Sequence, residues 1–440
     1  MSSIKIKSVL KIIGLILLIS SATFLFCIPV ALIYSESVRP FIFSALTAMV
    51  PGSLLYLLIR SSMHEKVTTR EGYLSVTLGW IVLVISGALP YLYSHEINGV
   101  VSALFESVSG YTTTGASILT NIEATPKSVL FWRSLTHWIG GLGIILLVIV
   151  ILPSLKVGGY NLFVMESSLK EKILPRTKAM ARVVLLIYLG LTIAEITLLT
   201  AGGMELFDSI CHSFGTIATG GFSTQNTSIS NYSPYIQYVI AIFMFLAATS
   251  YVVFYHVVKR NFTKINSNEE FWFYIFFTTA TVACVTLVLY FSTERSFELA
   301  FRHSFFQVIS TITTTGFATT DYTLWPQAAL VIIFLLIFVG GSTGSTTGGI
   351  KMARHLIALK NLKNVTVRLL HPNAVMPVKL NGHVVPDNIN SLMTVFIQVY
   401  VLIFIVGMLI IIVTGIPADE AAGAAASSLS CVGPGLGASG

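Results

Sequence analysis

The fold is decided by a short polar tract, Thr112-Thr113-Thr114-Gly115, which follows a short apolar segment and recurs along the chain. Three further tracts have the same character, and they are Ile217-Ala218-Thr219-Gly220-Gly221, Thr313-Thr314-Thr315-Gly316 and Ser430-Cys431-Val432-Gly433. The marker glycines, taken as Gly115, Gly220, Gly316 and Gly433, are 105, 96 and 117 residues apart. Because every tract lies beside long hydrophobic segments, the pattern indicates a pore of fourfold pseudo-symmetry, lined by backbone carbonyls.

The composition is that of a membrane protein. Hydrophobic residues make up 54% of the chain and charged residues 10%, whereas soluble domains contain about 25% charged residues. Segments near the ~20 residues that cross a bilayer are predicted at 9–34, 40–59, 73–93, 128–152, 183–201, 235–258, 271–291, 324–340 and 391–416. The first is too long for a secretory signal and lacks a clear small-residue cleavage site, so we expect a retained helix.

The net charge of +7 is an orientation signal. If the N-terminus is cytoplasmic, the N-terminal lysines and the connectors 60–72, 153–182, 259–270 and 351–390 lie on one side and hold 21 of the 26 Lys and Arg residues. This asymmetry follows the positive-inside rule. It predicts a multi-pass protein with a cytoplasmic N-terminus, and it makes nucleic acid an improbable partner.

The predicted fold class is an all-α integral membrane protein with four tandem repeats of helix, half-helix, filter loop and helix. Two extra transmembrane helices occupy residues 1–72, and the repeats occupy 73–152, 153–259, 260–356 and 357–440. The predicted half-helices are Val101–Ser109, Glu205–Phe214, Phe297–Ile309 and Ala418–Leu429. They are too short to span a bilayer, so the tracts after them must line a cavity. The last exit helix is missing from this sequence, and we expect a longer parent protein.

The tracts predict a potassium site made by the backbone. Its residues are Thr113, Thr114, Gly115, Ala218, Thr219, Gly220, Thr314, Thr315, Gly316, Cys431, Val432 and Gly433. The side chains differ widely, but all are small, and glycine permits backbone conformations closed to other residues. Stacked carbonyls can replace the hydration shell of potassium, and the half-helix C-termini direct partial negative charge toward the same point. The alternative is that the tracts are four ordinary polar turns.

The tracts resemble degenerate versions of the potassium-channel Thr-Val-Gly signature, and the four-unit layout is similar to that of the Trk/Ktr/HKT superfamily of potassium transporters. The resemblance covers nearly the whole chain and is carried by the two leading helices and by Ser109–Gly115, Ala218–Phe222 and Val432–Leu436. It implies potassium uptake across the bacterial inner membrane. It also implies a homodimer, with one pore in each protomer, on a cytosolic TrkA-like nucleotide-binding ring. Potassium would be the transported ion, and no organic cofactor is expected on this chain.

A glycine-rich stretch interrupts the third exit segment. It reads Gly340-Gly341-Ser342-Thr343-Gly344-Ser345-Thr346-Thr347-Gly348-Gly349. Its five glycines each cost a helix roughly 1 kcal/mol relative to alanine, and an unwound segment inside a membrane must line a cavity. We expect a mobile gate loop below the filter, as the resemblance implies. The alternative is a cytosolic linker at the end of a short helix.

Several ionisable residues lie near or inside apolar segments, and they are Arg133, His137, Glu195, His212 and His303. Such groups are expensive in a membrane and often functional. For Glu195 we expect buried hydrogen bonding, and for His212 and His303 a neutral packing role, with sensing of external pH as the alternative. No residues have metal-ligand spacing, and no pair of nucleophile and base is evident, so we do not expect an enzyme.

One rival function and one partner surface complete the sequence-based expectations. An alternating-access secondary transporter for a cation or small solute would have repeats of inverted topology, whereas these units are predicted to be parallel. The connectors 153–182 and 351–390 are basic and too long for tight turns. We expect them to bind the cytosolic ring, with Lys170, Lys172, Arg176 and Lys178 as contributing residues.

Overall fold

A computed structural model describes residues 6–59, 69–146, 177–374 and 376–435. These residues form helices joined by loops, apart from one antiparallel hairpin of Lys379–Leu380 and His383–Val384. The predicted all-α architecture is therefore confirmed. The hairpin precedes the entering helix of the fourth repeat, within the connector 351–390 that the charge pattern assigns to the cytosol.

The two leading helices form a tightly packed pair. The first is Ile6–Phe24, continued after a short break by Cys27–Ile33, and the second is Arg39–Leu58. They approach most closely where Gly14 and Gly52 face each other, because a Cβ atom on either glycine would meet the carbonyl oxygen of the other at 3.0–3.1 Å. Small residues at such a crossing bring two membrane helices into backbone contact.

Each of the four repeats contains the predicted half-helix. The half-helices are Val100–Tyr111, Leu206–Ile217, Phe297–Ile312 and Ala418–Ser430. The helices that enter the repeats are Thr69–Gly87 with Leu89–Ser94, Thr177–Ala201, Glu269–Ser292 and Asp387–Val413. The exit helices are Lys127–Leu146 in the first repeat, Pro234–Ala247 with Tyr251–Val258 in the second, and Gln327–Ile337 with Met352–Leu370 in the third. A short helix, Phe262–Asn266, and a 3₁₀ turn, Tyr322–Leu324, complete the described elements.

Within the described residues, fewer helices than the nine predicted segments are long and apolar enough to cross a membrane. Six helices of the described residues are long and apolar enough to span a bilayer, and a seventh span results if Pro234–Ala247 and Tyr251–Val258 count as one. The predicted segment 128–152 is represented by Lys127–Leu146, and its last residues lie outside the described ranges. The segment 324–340 contains only the short helix Gln327–Ile337, which ends where the glycine-rich stretch begins.

The exit helix of the second repeat is broken, and the prediction of one continuous segment over 235–258 was wrong. Pro234–Ala247 and Tyr251–Val258 meet at an angle of 93°. Two backbone groups freed at the break bind the glycine-rich stretch, because the Ala248 carbonyl accepts from the Ser342 amide at 2.9 Å and the Tyr251 amide donates to the Gly344 carbonyl at 3.2 Å. Backbone groups freed at the breaks in two successive exit helices therefore form hydrogen bonds with each other.

Candidate functional site

All four half-helices end in the same backbone turn. A residue with a positive φ follows each helix, two positions after its last residue in the first three repeats and one position after it in the fourth. The values are 55° at Thr113, 55° at Thr219, 54° at Thr314 and 57° at Cys431. The amide of each of these residues donates to the carbonyl three residues earlier, and the next amide donates to the carbonyl five residues earlier. This is a Schellman turn, which stops a helix and satisfies its last carbonyls.

The residues that adopt this turn are not the usual ones. Glycine normally occupies the left-handed position of a helix end, yet here three threonines and one cysteine occupy it. A β-branched residue such as threonine is an outlier in this conformation, and each non-glycine residue that adopts it costs on the order of 1–3 kcal/mol. Since a non-glycine residue adopts it in all four repeats, the surrounding structure must impose the turn at this point.

The turn corrects the register of the second tract by one residue. Two positions after the strained residue, φ is 85° at Gly115, 81° at Gly221, 81° at Gly316 and 95° at Gly433. In the second repeat, the glycine equivalent to Gly115, Gly316 and Gly433 is therefore Gly221, and Gly220 was the wrong marker. The matching residues of the second tract are Thr219, Gly220 and Gly221, while Ala218 is the C-cap of the half-helix. The sequence contained a signal for this register, since Gly221-Phe222 matches Gly316-Phe317.

The four tracts close into a ring. A Cβ atom added to Gly115 would overlap the carbonyl oxygen of Gly220, and one added to Gly221 would overlap that of Thr315. In the same way, Gly316 lies against the carbonyl oxygen of Val432, and Gly433 lies against that of Thr114. Each glycine thus contacts the residue that precedes the glycine of the next repeat, and the fourth repeat returns to the first.

The ring borders a space that favours positive charge. Its glycines Gly115, Gly221, Gly316 and Gly433 are partly exposed, whereas Gly220 is buried. The C-terminal ends of four half-helices meet at the ring, and each such end has a partial charge of about −0.5. The tracts themselves contain no charged side chain. Backbone carbonyls and helix ends therefore supply the local field.

The glycine-rich loop, Gly340–Gly349, lies directly against the helix end of this ring. The Gly348 amide donates to the Thr314 hydroxyl at 2.8 Å, and the Thr219 hydroxyl binds that of Thr346 at 3.1 Å. A Cβ atom on Gly348 would overlap the Ser430 carbonyl oxygen. None of the ten loop residues is exposed. Such contacts contradict the interpretation of this stretch as a cytosolic linker.

Both ends of the loop are bound by buried polar groups. The amide of Gly340 donates to the Ile350 carbonyl at 2.9 Å, so the chain enters and leaves the loop side by side. Glu270, which is buried, accepts from the Thr343 amide at 2.6 Å and from the Ala353 amide at 3.2 Å. One carboxylate thus binds the loop and the first turn of the helix that follows it.

Lys351 brings a positive charge close to the ring. Its ammonium donates to the Thr347 hydroxyl at 2.7 Å and also to the Thr347 carbonyl. Sequence patterns assigned no role to Lys351 or to Glu270. The local signal was weak, since both are polar residues at the margins of apolar segments.

The remaining ionisable residues have different outcomes. His212 binds the Asp208 carbonyl at 2.8 Å and the Ser223 hydroxyl at 3.0 Å through its two ring nitrogens, which fits the expected packing role. His303 lies 3.5 Å from a guanidinium nitrogen of Arg295. Glu195 is buried, and its carboxyl group lies beside the Thr216 hydroxyl. That hydroxyl donates to the His212 carbonyl, and the hydrogen bonding expected for Glu195 stays a prediction.

Side-chain metal ligands are not grouped within the described ranges. No cluster of three or more His, Cys, Asp or Glu residues occurs there that could hold a metal ion. The four cysteines are free thiols. The ring, the half-helices and the spanning helices instead define an all-helical, multi-pass membrane protein with four repeats around one site.

Comparison with known proteins identifies the family. The model of the TrkH family, described as a cation transport protein, matches residues 38–440. The chain is 39% identical to the "Trk system potassium uptake protein TrkH" of Escherichia coli K12 and covers 91% of that protein with 98% of its own length. It is 34% identical to the protein of the same name from Halomonas elongata, with the same two coverages.

A solved structure agrees with the sequence relatives. The crystal structure of the potassium transporter TrkH from Vibrio parahaemolyticus superimposes with a TM-score of 0.91 at 34% identity, and the match covers 99% of this chain and 92% of that one. The chain belongs to the TrkH family of cation transport proteins, which is a family of transporters and not of enzymes.

Proposed function

We propose that this protein forms a potassium-selective uptake pathway across the bacterial inner membrane, with its N-terminus in the cytoplasm. The observation that carries the proposal is the closed ring in which Gly115, Gly221, Gly316 and Gly433 each contact a carbonyl of the next repeat. The names of the relatives, which are potassium uptake proteins and a potassium transporter, support potassium as the transported ion.

Potassium passes the ring by exchanging water for backbone carbonyls. The ion loses much of its hydration shell, and the carbonyls around Thr114, Gly220, Thr315 and Val432 replace it. No side chain needs to change its charge during passage, because the coordinating groups are amide dipoles. The four half-helix ends reduce the cost of placing a cation in this partly dehydrated position.

The topology favours this pathway over alternating access. All four half-helices direct their C-terminal ends to one ring, which parallel repeats achieve and inverted repeats do not. The repeats at 73–152, 153–259, 260–356 and 357–440 then act as four walls of one pathway. The leading helix Ile6–Phe24 packs against Thr69–Gly87, and Cys27–Ile33 packs against Lys127–Leu146, so both support the first wall.

The loop Gly340–Gly349 acts as the gate in this proposal. It contacts three of the four tracts through Thr219, Thr314 and Ser430, so movement of the loop changes access to the ring. The protein works as a homodimer on a cytosolic TrkA-like nucleotide-binding ring. The nucleotide-binding ring binds the basic connectors 153–182 and 351–390. When the nucleotide-binding ring changes conformation, it displaces the loop.

The experiment is ion flux from liposomes that contain the full-length protein, with and without the nucleotide-binding ring. We expect the flux of ⁸⁶Rb⁺ or potassium to exceed the sodium flux and to rise when the nucleotide-binding ring is added. Equal potassium and sodium flux under both conditions would contradict the proposal.

A second experiment tests whether the basic connector 153–182 binds the nucleotide-binding ring. Lys170, Lys172 and Arg176 lie outside the described residues, and the side chain of Lys178 is also not described. Replacing all four by glutamine should weaken co-purification with the ring, because the basic charge is lost, while membrane insertion persists. Undiminished binding would move the docking site elsewhere.

A further inference from the structure

A buried ion pair of the first repeat contacts the segment that follows the ring glycine of the second repeat. Arg133 of the first exit helix donates through Nε to Glu106 of the first half-helix at 2.6 Å. The side chains are 2% and 0% exposed, respectively. Because burial of charges is costly, such a pair persists only when further hydrogen bonds satisfy both groups.

Glu106 binds the segment that follows the first ring glycine. Its Oε1 accepts from the Ser117 hydroxyl at 2.9 Å, and its Oε2 accepts from the Ile118 amide at 2.9 Å. Ser117 is the second residue after Gly115. The carboxylate therefore fixes the chain just beyond the ring in the first repeat.

Arg133 binds the segment that follows the second ring glycine. Its Nη1 donates to the Ser223 carbonyl at 2.8 Å, and its guanidinium lies 3.6 Å from the centre of the Phe222 ring. Phe222 directly follows Gly221, and its ring stacks on His137 at a centroid distance of 4.0 Å. His137 in turn lies against Gly220.

The equivalent positions in the other half-helices lack this arrangement. The residue nine positions before the ring glycine is Glu106 in the first repeat, and His212, Gln307 and Ala424 in the others. Like Arg133, His212 contacts Ser223, but through the serine hydroxyl. The Gln307 side-chain oxygen is buried without a hydrogen-bond partner among the described residues. The ion pair is thus a feature of one corner of the ring, where the first and second tracts meet.

We infer that Arg133 and Glu106 are positioning residues for ion selectivity, which hold the first and second tracts at a fixed separation. This inference rests on the proposed filter. One rigid group spans the two segments, since the guanidinium donates to Glu106 and to Ser223 in different directions and also covers Phe222. A smaller ion such as sodium requires the ring to contract. The pair resists that contraction at the corner that it connects.

The test uses substitutions that separate charge from geometry. R133K keeps the positive charge beside Glu106, but one ammonium cannot reproduce the fork and the flat contact with Phe222. F222L removes the phenyl ring that covers the Arg133 guanidinium and leaves both charges in place. The matched control is R302K, because the Arg302 guanidinium likewise joins two elements, donating through Nε to Glu298 at 2.9 Å and through Nη1 to Gln237 at 2.8 Å, neither of which belongs to the four tracts.

Flux of ⁸⁶Rb⁺ and ²²Na⁺ is measured in liposomes of the full-length protein, together with the thermal unfolding midpoint. We expect R133K and F222L to reduce the rubidium preference about tenfold, a change of about 1.4 kcal/mol that is comparable to one hydrogen bond to a charged group. The midpoint of F222L should fall, because Phe222 is buried and a smaller side chain leaves a cavity, so the fluxes are measured well below every midpoint. R302K should leave the rubidium preference unchanged. F222L provides the test alone if R133K does not fold.

A parallel G316S variant distinguishes failure of this inference from failure of the filter. If G316S alters selectivity while R133K and F222L keep the parent preference, the ring is the filter and the ion pair has no role in selectivity. If G316S also leaves selectivity unchanged, the filter proposal fails, and the positioning role fails with it.

Discussion

At the scale of single residues, the site depends on backbone conformations that most side chains avoid. Thr113, Thr219, Thr314 and Cys431 adopt left-handed φ values, and the glycine two residues later does so too. At the threonines and the cysteine, the conformation is strained. At the glycines, there is a second constraint, since any side chain would overlap a carbonyl of the next repeat.

The residue-scale prediction concerns G316S. Gly316 has a φ of +81°, and a Cβ atom there would overlap the Val432 carbonyl oxygen, so the ring must widen at this corner. We expect the preference for potassium over sodium to fall at least about tenfold, or by 1.4 kcal/mol, when both fluxes are measured in liposomes.

The matched control is G203S. Gly203 has a φ of +91° with no atom within 4 Å of an added Cβ. It therefore carries the same conformational penalty of roughly 1–2 kcal/mol, without the overlap. Selectivity should remain at the parent value. A loss of selectivity in both variants would show that destabilisation, and not ring geometry, causes the effect.

Most residues of the ring could be predicted from sequence, but their register could not be fixed by composition alone. Gly220-Gly221 offers two candidate markers, and spacing does not choose between them because the repeats differ in length. The choice depends on φ and on contact with the next repeat, which are set by tertiary structure. The partners of Arg133 were equally inaccessible, because Ser223 is 90 residues away in sequence.

At the scale of elements, the glycine-rich loop and the broken second exit helix form one unit. The loop's five glycines allowed its interruption of the helix to be predicted. The break at 248–250 could not be predicted, because Ala248-Thr249-Ser250 contains no proline or glycine. Hydrogen bonds to Ser342 and Gly344 stabilise it, so the cause lies in another element.

The element-scale prediction is that freeing the loop increases basal flux. Deleting residues 343–346 removes the Thr346 contact with Thr219 and shortens the segment at the ring. E270Q keeps the loop intact but weakens its attachment, because a charged acceptor binds an amide more strongly than a neutral one. Both changes should raise rubidium flux several-fold in the absence of the nucleotide-binding partner. The ion preference should stay unchanged, since neither change alters the glycine ring of the four tracts.

E269Q is the matched control for E270Q. Glu269 binds Lys360, and its amide donates to Asn381 of the hairpin at 2.8 Å, so neither contact involves the loop. Its basal flux should equal that of the parent. If the shortened protein is well folded and conducts no better than the parent, the loop is not the gate.

At the scale of the whole molecule, four unlike repeats produce one nearly symmetric site. The predicted number and order of the half-helices are confirmed, because hydrophobic length and recurring small residues require only local sequence. Closure of the ring brings Gly433 to Thr114, which are more than 300 residues apart. That contact is a property of the complete assembly, and no local pattern indicates it.

The central claim is that a dehydrated cation binds on the axis of this ring. The most direct measurement is anomalous diffraction from crystals of the full-length protein grown in rubidium or thallium salts. We expect anomalous peaks on the pseudo-fourfold axis, at the level of the carbonyls of Thr114, Gly220, Thr315 and Val432. Peaks located only away from this axis, in a protein that still transports rubidium, would contradict the account.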